Sequence, residues 1–505
     1  MFITKQNLIK SSSYLRYCST TNSNNINSNN SSNSSISSVY QTFKKYDFLK
    51  RNLSNRDIWI PPLVTNNNYS PEEKDILPII KSQLKASIIG LSDSNSKSNN
   101  NNNNYNGVVK TLEKNILVST NERVDRNAHL KLNSEKDFTK ENLDRFSKYF
   151  ESDTTKNRFT STWTQQLLPN SYKIDNTVSD QTNESFNYLY PILSFLDAYH
   201  SDQFHYTFHC LTTESIAGEV NDGGGEGKQM KKVKSIQRRL ANKLKDTRKR
   251  IFKKMVKPFD QGLSVEKANL DTAALDPLKS PHQAFFIVQL LLTNNDDLYI
   301  SVNRSLYNQL WSLPLPFNQG VVHIDRDLKP PSRAYKKLIE SFSILGTIPQ
   351  PNDICVDLGS SPGGWISILS RLYKQHTTDK LCIFSIDRSP LEQGLEKDIH
   401  RHLITDGMKW RLTSDDISQS TNTDANIWLF NDMAIPPNKS CQVLDAWIKS
   451  GKVNYFVWAI KFIGDTEYNN TLELITKIMK DNNITTYCTK HLLNQGNEIM
   501  IIGKV

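Results

Sequence analysis

Apolar and polar positions change rhythm several times along this chain, and each rhythm marks a different kind of element. Residues 204–211 and 285–292 are runs dense in aromatic and branched side chains, the composition of a pleated strand. The second run is followed by Asn294-Asn295-Asp296-Asp297 and by another apolar run over 298–302, which predicts a hairpin. Between the two runs, Val233, Ile236, Leu240, Leu244, Ile251 and Met255 recur at steps of three, four and seven. That spacing predicts one continuous amphipathic helix. From residue 354 onward the rhythms alternate. Strands are expected at 354–358, 381–386, 427–431 and 455–460, with helical patterns at 441–450 and 467–480 between later ones. Alternation of this kind gives an α/β fold with a mostly parallel sheet covered on both faces. The last two runs, 485–489 and 498–502, lie close enough in sequence to pair antiparallel.

Composition divides the chain further. Residues 1–46 hold five Lys or Arg, many Ser and no acid, so they are expected to be a disordered, mitochondrial-type leader. Residues 47–106 carry apolar patches without a period and end in an Asn-rich tract, and a poorly ordered linker is expected there. Residues 107–327 form a second folded region, and 328–505 the alternating domain. The longest apolar run, 284–292, is nine residues with Gln289 inside it, half of what a membrane span needs. Six cysteines occur without a C-x-x-C pair, which argues against a zinc site and for a reducing compartment.

Charge changes the picture more. Of the net +10, residues 228–257 alone contribute +13, from 14 Lys and Arg against one Asp, leaving −3 for all else. Pairing along the helix cannot be the purpose of a face so short of acids. A polyanion such as RNA fits it, with Arg238, Arg239, Lys245 and Lys249 as candidate phosphate contacts.

The stretch with the clearest chemistry is I-C-V-D-L-G-S-S-P-G-G-W over residues 354–365. An apolar run meets three glycines and a proline, and helical spacing follows at Trp365, Ile368, Leu369 and Leu372. Strand, tight loop and helix are expected in that order. Glycines allow close backbone approach to a ligand, and a helix N-terminus offers unpaired N–H groups. The loop lacks both the G-K-[ST] ending of triphosphate loops and the G-x-G-x-x-G of dinucleotide sites.

From Asp357 to Trp365 the loop resembles the D-L-G-x-x-P-G-G-[WF] loop of the FtsJ-like ribose 2'-O-methyltransferases, which bind S-adenosylmethionine. Ser332-Arg333, Lys337-Leu338 and Phe342 make it similar to the bacterial ribosomal RNA large subunit methyltransferase M group. The resemblance implies a Rossmann-like, S-adenosylmethionine-dependent methyltransferase domain, preceded by an α+β, THUMP-like RNA-binding region. It implies cofactor contacts from Asp357, Gly359, Ser361, Pro362, Gly363, Gly364 and Trp365. Asp387, ending the second strand, is placed for the ribose hydroxyls, and Asp406 resembles the acid that receives the adenine amino group. Four residues match the family's Lys-Asp-Lys-Glu tetrad: Lys337, Asp432, Lys461 and Glu498. The resemblance makes Lys461 the general base, with Asp432 and Glu498 holding its amine and Asp432 also beside the cofactor. No metal is expected, since no histidine spacing suits one and the departing thioether is neutral.

Other classes fit less well. A base methyltransferase needs a different acceptor motif than Asn431-Asp432-Met433-Ala434. A non-catalytic RNA-binding or ribosome-assembly protein would have lost part of the tetrad, and an enzyme acting on protein or small molecules leaves the basic helix unexplained. Transfer RNA or messenger RNA is the alternative to large-subunit ribosomal RNA as substrate.

Overall fold

The computed structural model describes residues 38–46, 56–60, 108–111, 117–120, 136–150, 162, 166–213, 227–256, 284–305, 317, 320–372, 381–418, 425–462 and 468–505, except 137, 149, 323 and 494. The leader before residue 38, the Asn-rich tract and the segments 219–226 and 257–281 lie outside the described residues.

Three sheets organise the chain. The first is antiparallel, from β1 (Arg56–Ile60), β2 (Val108–Thr111), β3 (Leu117–Thr120) and β4 (Gln166–Leu168), in the order β2-β3-β1-β4. Here the expectation of a poorly ordered 47–106 fails at residues 56–60, because β1 pairs with β3 on one side and β4 on the other. Its partners come from more than 50 residues away, and a five-residue strand made by distant pairing leaves no local period to read. The disordered leader expected over 1–46 is corrected at its end only, since residues 38–45 are helical. Val39 and Phe43 are buried one turn apart, Phe43 packing edge-on to Phe138 and Phe146.

After α1 (Lys140–Lys148) comes the second sheet. It contains β5 (Tyr172–Ile174), β6 (Phe204–Thr212), β7 (Ala284–Leu292) and β8 (Leu298–Arg304) in the order β5-β8-β7-β6. The expected hairpin is present as β7 and β8, and β6 runs parallel to β7. Two helices pack on this sheet, α2 (Gln181–His200) and α3 (Lys228–Thr247). Helix α2 had no sequence signature of its own because it is apolar over most of its circumference, which hides a helical period. Asp180 caps it by accepting from the Asn183 N–H at 3.0 Å. The basic helix is also shorter than expected. It stops at Arg248, whose φ of −144° and ψ of 58° are not helical, and a separate α4 (Lys249–Lys253) follows. The break falls between Leu244 and Ile251, where residues 245–250 are all exposed or half-buried and none puts an apolar side chain into the core.

The third sheet has seven strands in the order β11-β10-β9-β12-β13-β15-β14. They are β9 (Ile354–Leu358), β10 (Cys382–Asp387), β11 (Arg401–Ile404), β12 (Ile427–Asn431), β13 (Tyr455–Lys461), β14 (Thr486–Lys490) and β15 (Glu498–Lys504). All pairings are parallel except those of β15 with β13 and β14. Strand β11 went unread because its residues are exposed or half-buried. Helices α5 (Tyr335–Leu345) and α6 (Gly364–Leu369) cover one face, and α8 (Pro437–Lys449) and α9 (Tyr468–Asp481) the other, with a short α7 (Ser414–Ser418) before β12. Alternate residues of β12 serve the two layers: Ile427 and Leu429 face the α8/α9 core, Trp428 and Phe430 the α5/α6 core.

Candidate active site

Chain order reverses at β9, whose neighbours are β10 and β12. In open α/β sheets such a reversal opens a crevice at the C-terminal strand ends. The backbone shapes it here. The Gly359 N–H donates to Ile386 O at 2.9 Å, the Asp432 N–H to Leu358 O at 3.0 Å and the Thr405 N–H to Asp387 O at 2.8 Å. Four strand ends, those of β11, β10, β9 and β12, are thus tied across the crevice floor.

The glycine loop closes one side. Gly359 has φ +79°, and a Cβ there would stand 2.7 Å from the Met433 nitrogen. Gly363, at φ +114°, precedes α6, and a Cβ on it would run into the Leu395 side chain. These positions are glycine for both conformation and room. The Ser361–Pro362 peptide is cis. Asp387 fastens the loop from below, its carboxylate accepting from the Ser361 N–H at 3.0 Å and the Ser389 N–H at 2.9 Å. Trp365 on α6 donates its indole N–H to Ala334 O at 2.9 Å, joining the loop to the start of α5. Asp406 lies on the neighbouring turn, where it accepts from Arg388 at 2.8 Å and from the Met408 N–H at 3.0 Å.

Four ionisable side chains from four elements meet beyond the loop. Lys337 on α5 donates to both oxygens of Asp432 at 2.8 and 3.0 Å and to Glu498 at 3.1 Å. Lys461, the last residue of β13, lies 3.1 Å from Asp432 Oδ1 and donates to Asp432 O at 2.6 Å. The antiparallel register that sets Lys461 opposite Glu498 brings the first residue of β15 to the last of β13. Lys337 is 7% exposed on its side chain and Lys461 24%, so Lys461 is the amine a ligand can reach. Burial pulls the Lys337 pKa down, but Asp432 and Glu498 outweigh it and hold it above the usual lysine value. The expected arrangement needs one correction. Glu498 grips Lys337, not Lys461, and Asp432 is the carboxylate both amines share.

Whether the crevice suits the expected cofactor turns on Asp357. It is 1% exposed, and neither carboxylate oxygen has a hydrogen-bond partner among the described residues. Burial, then the charges of Asp432 and Asp387, push its carboxyl well above the carboxylate range. A buried acid left unpaired is costly. A ligand carrying positive charge relieves it, and S-adenosylmethionine carries both a sulfonium and an ammonium. The glycine-lined approach and the orphaned acid therefore fit this cofactor. Among the described residues no group of three or more His, Cys, Asp or Glu is placed to hold a metal ion, and no helix is long and apolar enough to cross a membrane.

Sequence reasoning missed one supporting residue, Glu340. It is buried one turn beyond Lys337 and accepts from the Leu493 N–H at 2.9 Å, in the loop leading to Glu498. Its signal was an acid among Leu338, Ile339 and Phe342 on a core-facing helix.

Known proteins resemble this chain over the same region. The family model "FtsJ-like methyltransferase" matches residues 330–440. The ribosomal RNA large subunit methyltransferase M of Shewanella woodyi is 24% identical over 200 residues, covering 37% of this chain and 51% of that protein. The protein of that name from Pseudoalteromonas translucida is 24% identical over 235 residues, covering 45% and 56%. That from Methylococcus capsulatus is 28% identical over 158 residues, covering 30% and 40%. The chain thus spans about half the length of the curated relatives it matches. From residue 330 to residue 440, across the glycine loop and Asp432, the chain is similar to the FtsJ-like methyltransferases.

Proposed function

We propose that the protein transfers a methyl group from S-adenosylmethionine to a ribose 2'-hydroxyl of RNA. The observation that carries this reading is the convergence of Lys337, Asp432, Lys461 and Glu498 beside the glycine loop. Bound S-adenosylmethionine supplies an electrophilic methyl carbon on a sulfur that departs as a neutral thioether. Lys461 takes the hydroxyl proton as the ribose oxygen bonds to that carbon and the carbon–sulfur bond breaks. Asp432 keeps the Lys461 amine aimed through side chain and backbone carbonyl. Lys337 has a different task. Held charged between two carboxylates, it fixes Asp432 and Glu498 and offsets their repulsion. Aligning two bound reactants then supplies much of the acceleration.

The residues that hold the cofactor in this reading are Asp357, Gly359, Ser361, Pro362, Gly363, Gly364, Trp365, Asp387, Asp406 and Asp432. The names of the relatives support large-subunit ribosomal RNA as substrate, and the basic leader extends the proposal to the mitochondrial ribosome. The α+β region around β5 to β8 takes the THUMP-like, RNA-binding role. The test is to incubate the protein with methyl-labelled S-adenosylmethionine and ribosomal RNA, then hydrolyse in alkali. A 2'-O-methyl group blocks cleavage at its own linkage, so label in alkali-resistant dinucleotides is the expected result. Label released only in mononucleotides would mean base methylation and would overturn the assignment.

A further inference from the structure

The largest concentration of charge lies outside the active site, on α3, and the structure sorts its cations into two groups. One group is already engaged. Lys232 pairs with Asp296 at 2.8 Å and Arg250 on α4 with Asp197 at 3.0 Å. Arg248 lies over the Tyr190 ring at 4.5 Å from its centroid; Lys243 lies over Phe186 at 4.5 Å and donates to Asn183. These fasten α3 and α4 to α2 and the β7–β8 turn, and they explain part of the basic composition structurally.

The other group is exposed and takes no part in an ion pair among the described residues: Lys231, Arg238, Arg239, Lys245 and Lys249. Lys231, Arg238 and Lys245 recur every seven residues, so they stand in one line along the helix, spanning roughly 21 Å at about 1.5 Å per residue. Val233, Ile236, Leu240 and Leu244 occupy the opposite side and are buried. Arg239 follows Arg238 on the same helix, and Lys249 opens α4 after the break at Arg248. Asp246 is the single acid on the helix.

We propose that this row is a docking surface for the phosphodiester backbone of the RNA substrate, separate from the tetrad. The inference rests on the methyltransferase reading for its partner. A row of fixed cations over a packed apolar face presents charge at no further ordering cost to the backbone, and its complement is a polyanionic strand. Such contacts position a substrate without reading its sequence.

The test is fluorescence anisotropy of a labelled single-stranded oligoribonucleotide at several salt concentrations. It compares wild type with the variant carrying Arg238→Gln, Arg239→Gln, Lys245→Gln and Lys249→Gln. Neutralising one cation that meets a phosphate should lower the magnitude of the log–log salt slope by about 0.7. Neutralising all four should therefore lower it by roughly 2.8, with affinity at low salt down at least tenfold. A charge-keeping variant, R238K/R239K/K245R/K249R, should retain the wild-type slope. Unchanged slope and affinity in the Gln variant would overturn the surface, as would an equal drop in the charge-keeping one. Vesicles of phosphatidylserine and phosphatidylcholine form the control arm, and binding to them in place of RNA would also overturn it. Failure here is separable from failure of the catalytic reading. Wild type that binds RNA through α3 but transfers no methyl group sinks only the chemistry. A Gln variant with the wild-type KM for RNA in methyl transfer sinks only the surface.

Discussion

At the scale of single residues, Asp357 decides most. Its carboxyl is buried, has no hydrogen-bond partner among the described residues, and is raised well above the carboxylate range by burial and by Asp432 and Asp387. The native state therefore keeps a proton that the unfolded chain releases near pH 3.9. Stability from this group is full below that value and fades as pH rises toward the folded pKa. Asp357→Asn removes the penalty, so the cofactor-free variant should gain about 1 to 3 kcal/mol at pH 8 and nothing at pH 3. Its affinity for S-adenosylmethionine should fall at least tenfold, since the acid a cationic ligand relieves is gone. Thermal unfolding across pH and titration calorimetry measure both, and a variant less stable than wild type at pH 8 would contradict the account.

At the scale of elements, helix α5 and the loop between β14 and β15 act as one unit. Lys337 and Glu340 stand one turn apart; the first holds Glu498, the second the Leu493 N–H five residues earlier. The neighbouring Asn497 donates to Phe462 O at 3.0 Å and accepts from Tyr468 at 2.8 Å, tying the loop to the end of β13. Glu340→Ala removes the carboxylate that accepts from the half-buried Leu493 N–H and should cost about 1 kcal/mol. Amide exchange should quicken in the loop before Glu498, and methyl transfer should slow, with S-adenosylmethionine affinity near normal. Glu340→Gln, which keeps an acceptor, should recover most of the rate. Equal rates in all three proteins would show that the loop is positioned by other means. The strands that lead to Asp432 and Lys461 were legible because buried parallel strands are short apolar runs, and a polar residue at such an end stands out. Lys461 after Ala459-Ile460 and Asp432 after Phe430-Asn431 are of that kind. Strands β1 and β11 were not, one being made by distant partners and the other lying at the exposed edge.

At the scale of the whole molecule, the antiparallel end of the seven-stranded sheet also receives the preceding region. Thr162 shares a 2.5 Å hydrogen bond with Thr489 on β14 and its carbonyl accepts from the His491 N–H at 2.8 Å, while Leu167 on β4 joins the core under the catalytic sheet. In turn the Leu167 carbonyl accepts from Gln289 on β7 at 2.8 Å, so a chain of contacts runs from the sheet bearing α3 to the sheet bearing the tetrad. None of these contacts was visible in the sequence, because each joins residues more than 100 positions apart with no shared period. The central claim nonetheless rests on one amine. Lys461→Ala, measured with ribosomal RNA and S-adenosylmethionine, should lower kcat at least a thousandfold, of the order expected for losing a positioned base, while cofactor affinity by calorimetry stays within twofold. Transfer within tenfold of wild type would contradict the account.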